Sequence, residues 1–390
     1  MVYYFHMDIM AKLKETFQKV STSALNNVMQ TKSDSVIGID IGTSAIKVVQ
    51  IKKREGRAVL ETYGAIALGP YADLPAGKVT NLDNEKLLPA ITELLKASGV
   101  NTKETAFAIP SAASLIFIVE IPERLSEKEY DSVIQTEARK FIPVPIAEVT
   151  LDWWVIPERD SETSGPEGLD ETTSTPTSHK KEALVVAIHN DTLTRYKELV
   201  TSLELVDPVF EIEVFSSIRA NFGHELSPVL IFDMGASKTK LSVIEHGVVR
   251  TFHVVNRGSH DISNSLATSL AIPFEKAEEL KRSQGLTGIG GDQKATEIMK
   301  ASLDYVFMEA NSVVLDYERK QNKIISKVVL TGGGVLLKGF VEEAKKNFSC
   351  DVVIGNPFAK IEAPVFLSKA LESAGPEFGV ALGIALRKLQ

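Results

Sequence analysis

Two stretches of this chain carry the same small set of residue types, and these types are suited to binding phosphate. Val36 to Ile51 reads VIGIDIGTSAIKVVQI, and Val229 to Ile244 reads VLIFDMGASKTKLSVI. Aligned without a gap, they share the residues that could do chemistry: Asp40 with Asp233, Gly42 with Gly235, Ser44 with Ser237, and Lys47 with Lys240. A glycine turn lets backbone N–H groups approach an anion, and paired carboxylates can hold a hydrated Mg²⁺. Two facing copies therefore predict a clamp for the phosphates of a nucleotide.

Each copy should be a β-hairpin. An apolar run leads into an Asp-x-Gly turn, and alternating apolar residues follow the turn, as in Ile46 and Val48. Hydroxyl groups of Thr43, Ser44 and Ser237 add further donors beside the glycines. One such turn alone is most often an ordinary hairpin, but repetition of the acid, glycine, serine and lysine favours the functional interpretation.

Composition excludes several classes of protein. A chain of 390 residues fits two or three domains of about 100–200 residues each, and a net charge of −8 gives no general attraction to nucleic acid. Cys350 is the single cysteine, which excludes an intramolecular disulfide and a cysteine-based metal cluster. Apolar runs are too short to span a bilayer, and the N-terminus lacks a signal peptide pattern. We therefore expect a cytoplasmic protein without nucleic acid partners.

The first hairpin needs a sheet around it, and the following residues supply one. Apolar patterns predict strands at 58–68 and 105–109 and a helix at 84–97. A segment without a counterpart before the first hairpin then predicts a compact α+β insert. Its predicted elements are strands at 114–120, 149–156 and 183–188, and helices at 126–141 and 191–203. Residues 159–181 are polar and predict a mobile loop within the insert, and residues 8–28 predict an amphipathic leader helix.

The second hairpin is followed by helices and by a run of glycines. Helices are predicted at 274–285, 295–321, 337–348 and 378–388. In the first of these, Glu278 and Lys281 are three residues apart and share a face. A strand at 327–330 runs into Thr331 and three glycines, which would let a flat ligand ring lie against bare backbone.

The order of these four motifs resembles the actin-like ATPase superfamily, from about residue 33 to residue 390, and the small α+β insert in the first half is similar to its FtsA and PilM branch. The resemblance implies a duplicated α/β fold of ribonuclease H-like type, with a nucleotide cleft between the halves. The implied subdomains are a leader at 1–32, subdomain 1A at 33–112 and 208–226, insert 1C at 113–207, subdomain 2A at 227–256 and 329–390, and subdomain 2B at 257–328.

The resemblance also assigns site residues and the cofactors ATP and Mg²⁺. Asp40 and Asp233 would hold the metal, Glu278 the ribose, and Lys281 would lie beside the base. The remaining positions form two phosphate loops and an adenosine loop: Gly42, Thr43, Ser44 and Lys47 in the first phosphate loop, Gly235, Ala236, Ser237, Lys238 and Thr239 in the second, and Gly332, Gly333 and Gly334 in the adenosine loop.

Within the branch, the short leader and the terminal helix are similar to the PilM family of type IV pilus assembly. That resemblance implies a cytoplasmic protein, peripheral at the inner face of the cytoplasmic membrane. Its implied partner is the N-terminal cytoplasmic peptide of the membrane protein PilN, held beside the insert. Other pilus platform proteins and self-association are further expectations.

Two alternative functions follow from the same motifs. One is an FtsA-like filament protein that tethers a ring to the membrane, and the other is a small-molecule kinase of the superfamily. A kinase needs a positioned carboxylate base beside its substrate hydroxyl, and no residue of the sequence is assigned that catalytic role. The expected enzymatic activity is at most slow ATP hydrolysis.

Overall fold

The computed structural model describes residues 34–122, 125–156, 180–223, 225–288 and 291–390. The predicted leader and nearly all of the predicted loop at 159–181 lie outside these residues. The described residues form two compact units. One holds residues 34–113 and 192–390, and the other holds the described part of 114–191.

The secondary structure follows the predicted order. The strands are β1 (Ser35–Ile41), β2 (Ala45–Arg54), β3 (Arg57–Ala67), β4 (Glu104–Ile109), β5 (Ser114–Pro122), β6 (Val149–Ile156), β7 (Lys180–His189), β8 (Val206–Ile212), β9 (Val229–Met234), β10 (Thr239–Glu245), β11 (Val248–Val255), β12 (Lys327–Thr331) and β13 (Asp351–Ile354). The α-helices are α1 (Asn84–Ala97), α2 (Glu127–Ala138), α3 (Asn190–Ser202), α4 (Glu213–Asn221), α5 (Ser259–Leu270), α6 (Phe274–Gln284), α7 (Gln293–Gln321), α8 (Phe340–Asn347) and α9 (Ser368–Leu389).

The larger unit contains the same sheet twice. Its strand orders are β3-β2-β1-β4-β8 and β11-β10-β9-β12-β13. In each sheet, three antiparallel strands form one side: β1, β2 and β3 in the first sheet and β9, β10 and β11 in the second. The first of these strands then pairs in parallel with its other neighbour, which is β4 for β1 and β12 for β9. The sequence duplication therefore reports a duplicated α/β fold, as predicted.

The smaller unit is an antiparallel sheet of order β5-β7-β6 with α2 packed on it. Ile134 of α2 and Val185 of β7 are fully buried in its core. Ser126 caps α2, because its backbone N–H and hydroxyl both donate to the Glu129 carboxylate. This unit is the predicted α+β insert.

The insert was predicted to end at residue 207, whereas the compact unit ends at Asp191. The reason lies in α3, whose Tyr196 packs edge-on against Phe107 and Phe210 of the first large sheet. The remaining subdomain boundaries stay predictions.

Two helices begin three or more residues away from their predicted starts. The helix predicted at 337–348 begins at Phe340, because residues 333–336 form a 3-10 turn and Gly339 adopts a left-handed conformation with φ of 79°. The terminal helix predicted at 378–388 begins ten residues earlier, at Ser368, and continues through Pro376. The Pro376 carbonyl accepts hydrogen bonds from the Gly332 N–H (2.8 Å) and the Thr331 hydroxyl (3.1 Å).

Helix α9 lies directly against the central strand of the first sheet. A Cβ atom at Gly38 of β1 would lie 2.0 Å from the Ala381 carbonyl oxygen, and one at Gly383 would lie 1.9 Å from the Ser216 carbonyl oxygen of α4. Glycine is therefore required where these backbones cross. The crossing holds the first hairpin in a fixed position relative to α4 and α9.

Candidate functional site

The two hairpins place equivalent residues in equivalent positions. In the first, Asp40 of β1 lies opposite Lys47 of β2, and in the second, Asp233 of β9 lies opposite Lys240 of β10. Each turn is closed by the N–H of its glycine, which donates to a backbone carbonyl three residues later, at 3.1 Å in the first turn and 2.9 Å in the second. The predicted hairpins are confirmed with their carboxylates and lysines side by side.

The tips of the two hairpins meet. The Thr43 hydroxyl donates to the Ser237 hydroxyl at 3.2 Å, and a cavity of about 290 Å³ lies between the hairpins. That volume is at the lower end of the range for small-molecule sites. The predicted residues that line the cavity are Asp40, Gly42, Thr43, Ser44, Lys47, Asp233, Gly235, Ala236, Ser237, Lys238, Gly332 and Gly333.

The glycine run beside the cavity serves mainly for close packing. Gly332 has φ of 86°, and a Cβ there would lie 2.5 Å from a carboxylate oxygen of Asp233. At Gly334 a Cβ would lie 2.5 Å from the Met234 side chain. At Gly333 a Cβ would fit, since its nearest neighbour, Glu377, would lie 3.8 Å away at ordinary contact distance. Of the three, Gly332 and Gly333 line the cavity and Gly334 lies beneath them.

Three other predicted residues lie away from the cavity wall. Thr239 is fully buried, and its hydroxyl donates to the Arg257 carbonyl. Glu278 and Lys281 do share a face of α6, with their charged groups 2.7 Å apart, and Lys281 also donates to the Ser259 carbonyl. Their roles at a ribose and a base stay predictions.

Glu278 instead faces the loop between β3 and α1. A Cβ at Gly77, where φ is 89°, would lie 3.0 Å from the Glu278 carboxyl carbon. The neighbouring Lys78 ammonium lies 4.4 Å from the centre of the Phe274 ring at the start of α6. The segment is tied to the first turn as well, because the Thr80 N–H donates to the Thr43 carbonyl at 2.7 Å. It therefore links the turn of the first hairpin to α6, which carries Glu278 and Lys281.

Glu213 is a residue of the cavity that sequence reasoning missed. It is the first residue of α4, and its carboxylate accepts from the Ser111 N–H (2.7 Å) and pairs with the Lys240 ammonium (2.7 Å). Burial alone would raise the pKa of Glu213, but the charge of Lys240 and these hydrogen bonds lower it below its ordinary value. The one available signal was an acid directly after a buried parallel strand, at the sheet edge where ligands bind in α/β folds.

Comparison with known proteins places the chain in a family. Residues 38–389 match the family model of type IV pilus assembly protein PilM. The chain belongs to the PilM family. A chain of the solved PilM–PilN type IV pilus biogenesis complex superimposes with a TM-score of 0.74 at 23% identity, over 91% of this chain and 98% of that one. The two chains therefore share a fold.

Curated relatives of this PilM family member include cell division protein FtsA. FtsA of Neisseria meningitidis serogroup B is 29% identical over 150 residues, which are 33% of this chain and 36% of FtsA. FtsA of Pseudomonas aeruginosa is 23% identical over 355 residues, 83% of each chain. The match therefore spans little more than a third of the Neisseria protein.

In the described residues, no helix is both long and apolar enough to cross a membrane.

The two halves of the PilM-family site differ in electrostatics. Lys240 is held by two carboxylates, Glu213 at 2.7 Å and Asp233 at 3.5 Å, which raises the pKa of Lys240 although burial opposes the shift. Lys47 lies 4.0 Å from Asp40, and burial raises the pKa of Asp40 to about 6. The first hairpin thus holds the less compensated charges, and a bound cation would stabilise Asp40 in its charged form.

The donors present fit a hydrated Mg²⁺ shared with phosphate. Asp40 and Asp233 supply two carboxylates, and Mg²⁺ is commonly held by one or two carboxylates together with waters and substrate phosphates. The hydroxyls of Thr43 and Ser237 lie between the hairpins, where phosphate oxygens would accept from them. Asp40 and Asp233 would therefore hold the ion, and Mg²⁺ would supply charge neutralisation for the phosphates.

The raised pKa of Asp40 predicts a pH-dependent gain from Asp40→Asn. The pKa of Asp40 is about 6 in the folded protein and 3.8 for the free side chain. Asp40 therefore destabilises the fold least below pH 3.8, where it is protonated in both the folded and the unfolded state, and stability is lost as the pH rises through 6. Asparagine avoids that loss. Above pH 7 the variant should therefore unfold with a free energy higher by about 2–3 kcal/mol, and this gain should shrink towards pH 4.

Urea unfolding at a series of pH values, without nucleotide or Mg²⁺, measures this difference. A gain of constant size from pH 4 to pH 8, or a loss of stability above pH 7, would contradict the assignment of a destabilised carboxylate to Asp40.

Proposed function

We propose that this PilM family member binds ATP with Mg²⁺ between its two hairpins, and that the nucleotide controls docking of the N-terminal cytoplasmic peptide of PilN. The observation that carries the proposal is the meeting of the hairpins, with Thr43 and Ser237 in contact and two carboxylate–lysine pairs around one cavity. The solved complex that this chain resembles in fold is one of PilM with PilN, which supports the choice of partner.

Each hairpin contributes distinct groups to the phosphates. In the first, the hydroxyls of Thr43 and Ser44 can donate, and Lys47 can move from its 4.0 Å separation from Asp40 to pair with a phosphate oxygen. In the second, Ser237 donates, whereas Lys240 stays with Glu213 and Asp233. Lys47 is therefore the lysine that responds to the ligand.

The same geometry favours slow hydrolysis. A general base must reach an attacking water, and Glu213 already accepts from Ser111 and pairs with Lys240. Hydrolysis would require Glu213 or Asp40 to leave its present role. We therefore propose a nucleotide-binding switch whose turnover is at most slow, located on the cytoplasmic side and held at the membrane through membrane-anchored PilN.

The control of docking follows from linkage between two sites. If ATP changes the affinity for the PilN peptide, the peptide must change the affinity for ATP by the same factor. Residues 110–112 line the cavity and lead into β5 of the insert, so the chain itself connects the nucleotide site with the proposed docking unit. We assign peptide docking to the insert, predicted at 113–207.

A paired set of variants tests this function. Lys47→Ala removes the responsive lysine, and Lys52→Ala removes an exposed lysine from the same strand. In wild type and Lys52→Ala, Mg·ATP should change the affinity for a PilN N-terminal peptide by about fivefold or more, as typical coupling energies imply. In Lys47→Ala the affinity should be the same with and without ATP.

Fluorescence anisotropy of a labelled peptide, with the full chain and with or without Mg·ATP, gives these affinities. Equal peptide affinity in wild type with and without nucleotide would contradict the switch. Equal coupling in wild type and Lys47→Ala would contradict the role of Lys47.

The second candidate function is an FtsA-like filament protein, favoured by the match that covers 83% of this chain and of Pseudomonas aeruginosa FtsA. Sedimentation over a concentration series with Mg·ATP separates the two candidates. A switch that docks a peptide should stay in small species throughout the series, whereas a filament protein should pellet above a critical concentration.

A further inference from the structure

Helix α7 presents apolar side chains on two faces. One face packs in the core of the second half through Leu303, Val306, Phe307 and Ala310, all at most 1% exposed. The outer face carries Tyr305, Met308 and Leu315, which are 47%, 58% and 49% exposed. A core-packed helix of 29 residues does not need large apolar residues on its solvent face.

The exposed residues follow a heptad spacing. Ala301, Met308 and Leu315 are separated by seven residues, and Tyr305 and Ser312 lie between them at intervals of three and four. This spacing lines one side of a helix and is typical of a seam that packs against another helix. We call these five exposed residues the α7 stripe.

Acidic residues flank the α7 stripe on both sides. Positions that would border a partner helix are occupied on one side by Glu297, Asp304 and Glu318, and on the other by Glu309 and Asp316. Glu318 accepts from the Ile325 N–H, and Glu309 lies 3.2 Å from His253. Asp304 and Asp316 are exposed to solvent. Between residues 301 and 316, α7 holds no lysine or arginine. Lys300 lies just before the stripe and pairs with Glu343 at 3.8 Å, and Arg319 follows its C-terminal end.

We propose that the α7 stripe docks an amphipathic helix whose own apolar seam is flanked by lysine or arginine. The flanking positions of paired helices set partner choice through their charges. A parallel second copy of α7 would bring these acids against one another, and an anionic membrane surface would be repelled by the same residues. A basic partner helix satisfies both the apolar seam and its acidic borders.

A synthetic peptide pair tests the charge preference. The probe is a three-heptad helix with leucine at the seam and lysine at the flanking positions, and the matched peptide carries glutamate at those positions. The full chain without nucleotide should bind the lysine peptide at least about tenfold more tightly in low salt, and the preference should fall as salt is added. The double change Asp304→Lys with Asp316→Lys should reverse it.

Neutral variants test the location. Met308→Ser with Leu315→Ser should weaken binding of the lysine peptide at least about tenfold, because two apolar contacts are lost. Leu226→Ser, at a side chain 81% exposed outside the stripe, is the control and should change the affinity less than about twofold. All of these side chains are exposed, so the melting temperatures should match wild type.

Three results would overturn the proposal. The first is equal binding of the two peptides by wild type. The second is unchanged binding by the Met308→Ser, Leu315→Ser variant. The third is a dimer in sedimentation equilibrium that the same variant dissociates, since the α7 stripe would then be covered by a second copy. None of these three measurements uses ATP, so each result can be distinguished from a failure of the nucleotide switch.

Discussion

Gly38→Ala should lower the free energy of unfolding by about 3 kcal/mol or more, which is at the severe end for a single methyl group. The added Cβ would lie 2.0 Å from the Ala381 carbonyl oxygen and 2.9 Å from the Ala385 Cβ. Both atoms belong to the buried helix α9, and a backbone carbonyl cannot rotate away as a side chain can. Either α9 or the first phosphate hairpin must therefore shift.

Gly56→Ala is the matched control. Gly56 lies in the exposed turn after β2 with φ of 80°, and nothing lies within 4 Å of an added Cβ. Its cost should be only the backbone penalty of about 1 kcal/mol. Urea unfolding compares the two, and similar losses in both variants would contradict close packing of α9 on β1.

Lys240→Met should cost about 3–5 kcal/mol, because it leaves two buried carboxylates without their shared cation. Lys240 lies 2.7 Å from Glu213 and 3.5 Å from Asp233, and its side chain is 13% exposed. Lys47→Met is the matched change in the first hairpin. It should cost less, because Asp40 already has a pKa of about 6 and can take up a proton when Lys47 is lost.

The variant Lys240→Met with Glu213→Gln tests the cause. Removing one carboxylate relieves part of the repulsion, so the double variant should be more stable than Lys240→Met alone. Chemical denaturation of wild type, Glu213→Gln, Lys240→Met and the double variant at about pH 7.5 gives the coupling energy between Glu213 and Lys240. Additive losses would show that Glu213 and Lys240 do not act as a pair.

The two hairpins could be predicted because the residues that form each of them are neighbours in the sequence. An apolar run, an Asp-x-Gly turn and alternation fix strand, turn and register within about sixteen residues, and repetition revealed the duplicated sheets. In the structure, Asp40 lies opposite Lys47 and Asp233 lies opposite Lys240. The cavity between them follows from the symmetry of the fold.

Glu213 could not be found in the same way. Glu213 directly follows β8, a strand that comes after the insert in the sequence and pairs with β4, which comes before it. No sequence pattern near Glu213 indicates that Lys240 will pair with it. The start of α9 was missed for another reason. Proline inside a helix is normally disruptive because it lacks the N–H for the carbonyl four residues earlier. Here α9 continues through Pro376, and its first turns are held by the buried Leu371. Tertiary contacts decided both features.

A calorimetric titration of the full chain with Mg·ATP is the most direct test of the claim that both hairpins together bind one nucleotide. Wild type should bind one ATP per chain. Lys47→Ala in the first hairpin and Ser237→Ala in the second should each lower the affinity for ATP. The loss should be about tenfold or more for Lys47→Ala, because a charged contact to phosphate is stronger than a neutral hydrogen bond. Absence of saturable binding to wild type, or wild-type affinity in both variants, would contradict the claim.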